Sequence, residues 1–553
     1  MVPSRPLGRA DRWKLGFGWR ELGGACLLLT ALAFAVFGWY AFHGGSIADD
    51  WVNAGRYTFH PEPGFWGAVD NYQTPSRPSA AVFVTLTYEL LGMHFDQHLL
   101  LSVVLAAFLS IAYFAFLRTL GLGLPWALAA AAILLVFPSS DSTRLWSTGS
   151  QINLFIGLYL VAIVIAIGGR RRFGPAPTLP AVLTQVVASA IAVIAVGGYE
   201  IVAPAVLLSF VLYRWVGGRG GTLWRWLLDV IPTVLLLIFF TRKFSDNSAI
   251  DGIGPLIDNL RLALDGAVSV LAYSLYPSRF LNTPGMLVAA VAGVLLVTQL
   301  VRQLAPPSPD RDAIARWTVP ILLALAGIVI GYAMIAPVTD RYPIYEAGVR
   351  NRTNCFAALG ISALVVFLAA SVSAMIAGAL PRVSARFRER TRWVLTGALI
   401  LGVLGAYTVR VSQDVDRWVQ AAEIQDELIT QTKELVPSPP PDATIFTSPF
   451  PANSSPSVPV FGGGGSDDET WAFKVIYDQE GLRAFPILFI PGLTCGSDFI
   501  SQSNADGSPT EYGKAILVDA RTRTVYRPRN ADQCLEAVKA MEPFALVNLR
   551  EDW

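Results

Sequence analysis

The sequence predicts a polytopic α-helical membrane protein of about eleven transmembrane helices, followed by a small C-terminal extracytoplasmic α/β domain. Three observations lead there. Of the 553 residues, 53% are hydrophobic and only 15% charged, with a mean hydropathy of +0.48. Apolar runs near bilayer length recur along the first three quarters of the chain. After residue 410 the runs stop, and short strand-like stretches between Pro- and Gly-rich breaks take over.

The spans are read at 21–43, 97–117, 124–138, 151–168, 179–198, 201–214, 224–241, 285–302, 317–337, 354–379 and 393–410. The first run is of full bilayer length and lacks a small-residue cleavage site, so it is expected to be a retained span rather than a signal peptide. Two further apolar stretches, 79–95 and 258–276, are expected as helices on the outer membrane surface.

Basic residues set the orientation. Arg5, Arg9, Arg12, Lys14 and Arg20 precede the first span. Every second connection is also basic, through Arg118, then Arg170, Arg171 and Arg172, then Arg214, Arg219 and Arg225, then Arg302, Arg311 and Arg316. The richest carries Arg382, Arg386, Arg388, Arg390 and Arg392. These connections are assigned to the cytoplasmic side of the cytoplasmic (inner) membrane. Residues 1–20 are then a cytoplasmic N-terminus, 21–410 the transmembrane domain with a long first outer loop at 44–96, and 411–553 a periplasmic or extracellular domain. That domain is expected to open with a helix at 416–435 and to contain strands in ATIFTS, AFKVIYD, PILFIP, KAILVDA and FALVNL. It holds two of the four cysteines, Cys495 and Cys534, and an exported pair suggests a disulfide.

The outward loops collect the chemistry-bearing residues. The first contains Asp49, Asp50, Asn53, Arg56, Tyr72 and Arg77. The second, PSSDSTRLWSTGSQ, contains Asp141, Arg144, Trp146 and Gln151, and a very short third brings Tyr199 and Glu200. The last, TDRYPIYEAGVRNRTN, brings Asp340, Arg341, Tyr342, Glu346, Arg350 and Arg352. The positive-inside rule leaves few arginines on the outer side. Arg341, Arg350 and Arg352 therefore suggest a phosphate site, because guanidinium grips phosphate through a bidentate fork. The competing reading is salt bridging with Asp340 and Glu346. For the acidic pair, a carboxylate at a span exit suits a general base, while the plain alternative is a cap on a helix beginning near Trp51. His43, His60, His94 and His98 show no metal-binding spacing. FGGGGSDDETW lacks the Lys of a phosphate loop and reads as a flexible loop.

This arrangement resembles the GT-C superfamily of integral-membrane glycosyltransferases, on the evidence of the topology over 21–410 and of the acidic pair IADDW opening the first outer loop. The resemblance implies a polyprenyl-phosphate-linked sugar donor and an envelope glycan, lipid or protein acceptor. It gives Asp49 or Asp50 the base position, with the first acid of such pairs favoured. Donor phosphate would be held by Arg341, Tyr342, Arg350 and Arg352, with Arg77 of the PSRP turn structural or carrier-binding. Asn53, Tyr72, Asp141, Arg144, Gln151, Tyr199 and Glu200 would lie on the acceptor side or support these groups. There is no WWDYG-like block and no second DxD-like motif. A divalent metal, Mg or Mn, is left open as a cofactor, and no nucleic-acid partner is expected. The alternatives are a polysaccharide polymerase or ligase using a lipid-diphosphate donor, and a transporter, flippase or assembly scaffold without catalysis. Against transport stands the lack of an evident internal repeat.

Overall fold

The computed structural model describes residues 18–541 apart from 73–76, 219, 244–252, 276–310, 341, 379–383, 449–452, 456–457, 462–467, 488–492 and 503–508. Its principal helices are α1 (Trp19–Phe37), α2 (Asp49–Thr58), α3 (Pro78–Leu91), α4 (Phe95–Thr119), α5 (Leu124–Leu135), α6 (Gln151–Phe173), α7 (Leu179–Gly198), α8 (Ser209–Gly217), α9 (Thr222–Lys243), α10 (Ile253–Leu275), α11 (Arg311–Tyr332), α12 (Ala357–Gly378) and α13 (Ala385–Leu435). Among the described residues, eight helices are long and apolar enough to cross a membrane: Trp19–His43, Phe95–Thr119, Thr148–Phe173, Leu179–Gly198, Thr222–Phe239, Trp317–Val338, Ala357–Gly378 and Ala385–Leu435.

Two of the expected spans are built differently. The run at 124–138 gives only the 12-residue α5, because Pro138 forces Phe137 into an extended conformation and ends the helix. The run at 201–214 is broken into a 3₁₀ turn, Glu200–Val202, the short helix Ala203–Leu207, and α8. The expected span 285–302 lies outside the described residues. Helices do form over the two stretches read as surface helices, as α3 and α10.

The chain divides into two compact units. The first comprises Met1–Trp39, Ser102–Arg144 and Gly149–Gln413. The second comprises Tyr40–Leu101, Leu145–Thr148 and Asp414–Trp553, so the acidic-pair loop and the C-terminal segment share one unit.

In the first unit, basic helix ends gather together. Arg171, in the last turn of α6, donates to the Thr119 carbonyl at the end of α4. Its neighbour Arg170 donates to the carbonyls of Gly218 and Gly220, just past α8. These contacts satisfy carbonyls that a helix end or turn leaves without partners. Further along the helices, Asp229 of α9 is buried and accepts from Gln185 and Ser189 of α7 and from Tyr213 of α8. A shared carboxylate binding three elements is the polar glue that apolar helix bundles use where the hydrophobic effect is weak.

The second unit contains a four-stranded sheet, β1 (Thr444–Ser448), β2 (Arg483–Pro486), β3 (Ala515–Asp519) and β4 (Thr524–Tyr526), in the order β2-β1-β3-β4. β1 pairs in parallel with β2 and β3, and β4 closes the edge antiparallel to β3. Parallel β1 and β2 need a crossover, and α14 (Asp468–Tyr477) supplies it. AFKVIYD, expected as a strand, is therefore helical. Its two acids in the first turn suit a helix start, and it buries Ala472 and Phe473. FALVNL lies outside the described residues, as does most of PILFIP. Cys495 is disulfide-bonded to Cys534 of the helix α15 (Ala531–Met541), with their Cα atoms 5.9 Å apart. The span expected at 393–410 and the helix expected at 416–435 belong to one 51-residue helix, α13.

Candidate active site

The acidic pair begins α2, and its two members have opposite environments. Asp50 is fully buried, whereas Asp49 is half-exposed. Asp50 is enclosed by donors. Oδ2 accepts the Ile47 amide at 3.1 Å, while Oδ1 accepts the Thr148 amide at 2.7 Å, the Thr148 hydroxyl at 2.6 Å and the Ser147 hydroxyl at 3.1 Å. The backbone carbonyl of Asp50 accepts from the Tyr88 hydroxyl at 2.9 Å. Burial pushes the Asp50 carboxyl up from 3.8 to about 6, against the opposing pull of its hydrogen bonds from Thr148, Ile47 and Ser147.

The backbone before the pair is strained. Ala48 has φ 53°, in the left-handed region that a residue bearing a Cβ rarely adopts. A reciprocal pair spans it, with the Ile47 amide donating to the Asp50 side chain and the Asp50 amide donating to the Ile47 carbonyl at 3.2 Å. Strain of this kind persists only where its surroundings over-determine it. Here Asp50 is what holds the turn, so Asp49 is presented at a fixed place at the start of α2.

Asn53, one turn further on, is 2% exposed and donates through Nδ2 to the Thr148 hydroxyl at 3.0 Å. That hydroxyl in turn donates to Asp50 Oδ1 at 2.6 Å. Tyr40 holds the same segment by donating to the Leu145 carbonyl at 2.7 Å. Tyr72 is buried in this unit, and Arg77 occupies the position before the first residue of α3.

The other sequence-marked residues belong to the first unit. Asp141 is 1% exposed and its Oδ1 accepts from Asn351 Nδ2 at 2.6 Å. The Asn351 Oδ1 in turn accepts the Ser142 amide and hydroxyl, at 3.2 and 2.6 Å. Asn354 donates to the carbonyls of Ser139 and Tyr345, at 2.8 and 2.6 Å, and accepts from the Tyr332 hydroxyl at 3.0 Å. Two asparagines thus stitch the Asp141 loop to the arginine loop. Arg350 and Arg352 flank Asn351 in sequence. Arg350 is exposed, its guanidinium 5.6 Å from the centre of the Tyr345 ring, and Arg352 is half-buried. Tyr342 is exposed, and Arg341 lies outside the described residues.

Arg144 is turned toward the end of α5. It is buried and donates to the carbonyls of Leu134 and Phe137, at 2.6 and 3.1 Å, closing the C-terminal end of α5. Burial lowers its guanidinium to about 10, which keeps it charged at neutral pH. Gln151 opens α6 and Tyr199 follows α7, both buried, while Glu200 is half-buried in the next 3₁₀ turn. No group of three His, Cys, Asp or Glu side chains among the described residues could hold a metal ion.

Sequence reading missed Ser147, Thr148, Asn351 and Asn354. The signal for the last two was faint but present, since NRTN spaces them three apart, on one side of a helical turn.

No family model matches the chain. No curated protein matches it either. Among solved structures it is similar to the Archaeoglobus fulgidus oligosaccharyltransferase tethered with an acceptor peptide containing the NVT sequon, at a TM-score of 0.43 and 10% identity over 86% of this chain and 64% of that one. The apo form of that oligosaccharyltransferase gives 0.42 and 10% over 84% and 64%. ArnT from Cupriavidus metallidurans bound to undecaprenyl phosphate gives 0.32 and 13% over 77% and 83%. The chain spans 64% of the length of the oligosaccharyltransferase. A likeness of this degree assigns no chemistry to any residue here.

Proposed function

We propose that this protein is an integral-membrane glycosyltransferase of the cytoplasmic membrane that moves one sugar from a polyprenyl-phosphate donor to an envelope glycan, lipid or protein acceptor. The observation that carries the reading is the division of labour in the acidic pair. Asp50 has both carboxylate oxygens occupied by protein donors and is closed off from solvent. Asp49 starts the same pinned helix and is half-exposed, which is the placement a general base needs.

The reaction is a single displacement. Asp49 takes the proton of the acceptor hydroxyl as that oxygen forms its bond to the anomeric carbon. The bond from that carbon to the phosphate oxygen breaks, and the electron pair leaves with the phosphate. The configuration inverts. The phosphate leaves as the anion of an acid of low pKa, so no second carboxylate has to protonate it, in contrast to glycoside hydrolysis. Arg350 and Arg352, with Arg341, hold the phosphate as its charge grows. Asn351 keeps their loop in register through Asp141 and Ser142.

The experiment is to supply purified protein in lipid with labelled polyprenyl-phosphate sugars and mixed envelope acceptors, and to follow release of polyprenyl phosphate. Release by the parent and its loss in Asp49→Asn support the reading. Release unchanged in Asp49→Asn moves the base elsewhere, and no release with any donor sinks the assignment.

A further inference from the structure

α2 is short, ten residues, and such a helix has little stability of its own. Its position must come from what it packs against. Within the second unit it lies on α14, the crossover helix of the C-terminal sheet. The approach is very close at Gly55, where an added Cβ would run into Cε3 of Trp471. Only a residue without a side chain allows the indole so near the α2 backbone.

The indole is itself held from behind. Thr470 donates to the Ala484 carbonyl at 2.7 Å and accepts the Ala484 amide at 3.0 Å, which fastens the first turn of α14 to β2. Thr447 of β1 donates to the Glu469 carboxyl at 2.5 Å. Lys474 sits over the Trp471 ring, 4.4 Å from its centre. A second anchor acts at the other end of α2. Trp51 Nε1 donates to Gln425 Oε1 at 3.0 Å, and Gln425 Nε2 donates to the Val460 carbonyl at 2.7 Å. Just upstream, a Cβ on Gly45 would stand 2.9 Å from Cβ of Ala422 on α13.

We propose that Trp471 and Gln425 are positioning residues for the acidic-pair helix, so that the C-terminal segment sets where Asp49 stands. Taking Asp49 as the base rests on the function proposed above. The docking of α2 does not. Two fixed contacts, one on each side of the helix midpoint, determine both its place and its rotation. A misplacement of about 1 Å at a catalytic group can cost on the order of a hundredfold in rate.

The test uses the full chain with Trp471→Ala, Trp471→Phe and Gln425→Ala. Two quantities are read: backbone amide exchange over 49–58, and kcat with donor KM for sugar transfer. Trp471→Ala is expected to speed exchange over 49–58 while β1 and β3 stay protected, and to lower kcat by about ten- to a hundredfold with donor KM unchanged. Trp471→Phe, which keeps an aromatic surface under Gly55, restores most of both. Gln425→Ala, which removes one hydrogen-bonded anchor and little volume, repeats the pattern more weakly and serves if Trp471→Ala does not fold. Unchanged exchange over 49–58 in Trp471→Ala and Gln425→Ala overturns the proposal. So does a raised donor KM with kcat intact. If exchange responds as expected but the parent transfers no sugar, the docking stands and the proposed function falls.

Discussion

Thr148 donates twice to one oxygen of Asp50, through its amide at 2.7 Å and its hydroxyl at 2.6 Å. The two residues are 98 positions apart in the chain. A loop following one helix is thereby fastened to the start of another, and a buried carboxylate is the fastener. Groups of this kind are expensive to leave half-satisfied.

The Asp50 carboxyl is pushed up to about 6, so the folded state binds the proton more tightly than the unfolded chain does. That preference stabilises the fold fully below about pH 4 and is lost as the pH rises through 6. Thermal midpoints of detergent-solubilised parent and Asp50→Asn, measured from pH 4 to 7, should show the parent losing more stability than the variant up to about pH 6, with parallel behaviour above. Parallel curves throughout would place the proton elsewhere. At neutral pH the variant should still be less stable, by about 1–3 kcal/mol, because the Ile47 amide loses its acceptor.

Ala48 carries left-handed backbone immediately before the pair. Ala48→Gly should be neutral or stabilising by up to about 1 kcal/mol, since glycine adopts that conformation without the Cβ clash. Ala48→Val should destabilise by about 1–3 kcal/mol. Midpoint shifts of the two variants in opposite directions are the expected outcome, and equal shifts would contradict the account of strain.

Much of this could be read from the sequence, and the rest could not, for identifiable reasons. The acidic pair stood out because it follows the first apolar run directly. Its division into a buried and a half-exposed member was invisible, because the donors that bury Asp50 come from Ser147 and Thr148, nearly a hundred residues on. Arg144 stood out by its loop position, but its partners did not: they are carbonyls left open when Pro138 stops α5. AFKVIYD has strand-like composition, and only the parallel pairing of β1 with β2 demands a crossover helix there. The apolar runs carried the long helices well. They could not show that the last one continues without a break to Leu435.

Asn351 ties its own loop to the Asp141 loop, as donor to Asp141 and acceptor from Ser142. Asn351→Ala should cost about 2 kcal/mol or more by removing partners from buried groups. Asn351→Asp should cost more, because it sets a second carboxylate where Asp141 now receives a donor. Ranking the two by thermal midpoint checks this, and an Asp variant as stable as the parent would contradict it.

Arg350 and Arg144 should separate cleanly on mutation. Arg350 is exposed, so Arg350→Ala should leave the midpoint within about 0.5 kcal/mol of the parent. It should also weaken polyprenyl-phosphate binding by roughly tenfold, the worth of one charge-assisted hydrogen bond. Arg144→Ala should instead destabilise the fold, through the carbonyls it leaves unpaired. Binding of polyprenyl phosphate to both variants, alongside their midpoints, distinguishes a ligand-facing arginine from a structural one.

The measurement that bears most directly on the whole account is the rate of polyprenyl-phosphate release from a labelled polyprenyl-phosphate sugar by parent, Asp49→Asn and Asp50→Asn, each with its thermal midpoint. The account predicts that Asp49→Asn keeps the parent's midpoint and loses about 10²–10⁴-fold in rate, while Asp50→Asn loses stability as well. A parent-like rate in Asp49→Asn, with release intact, would contradict it.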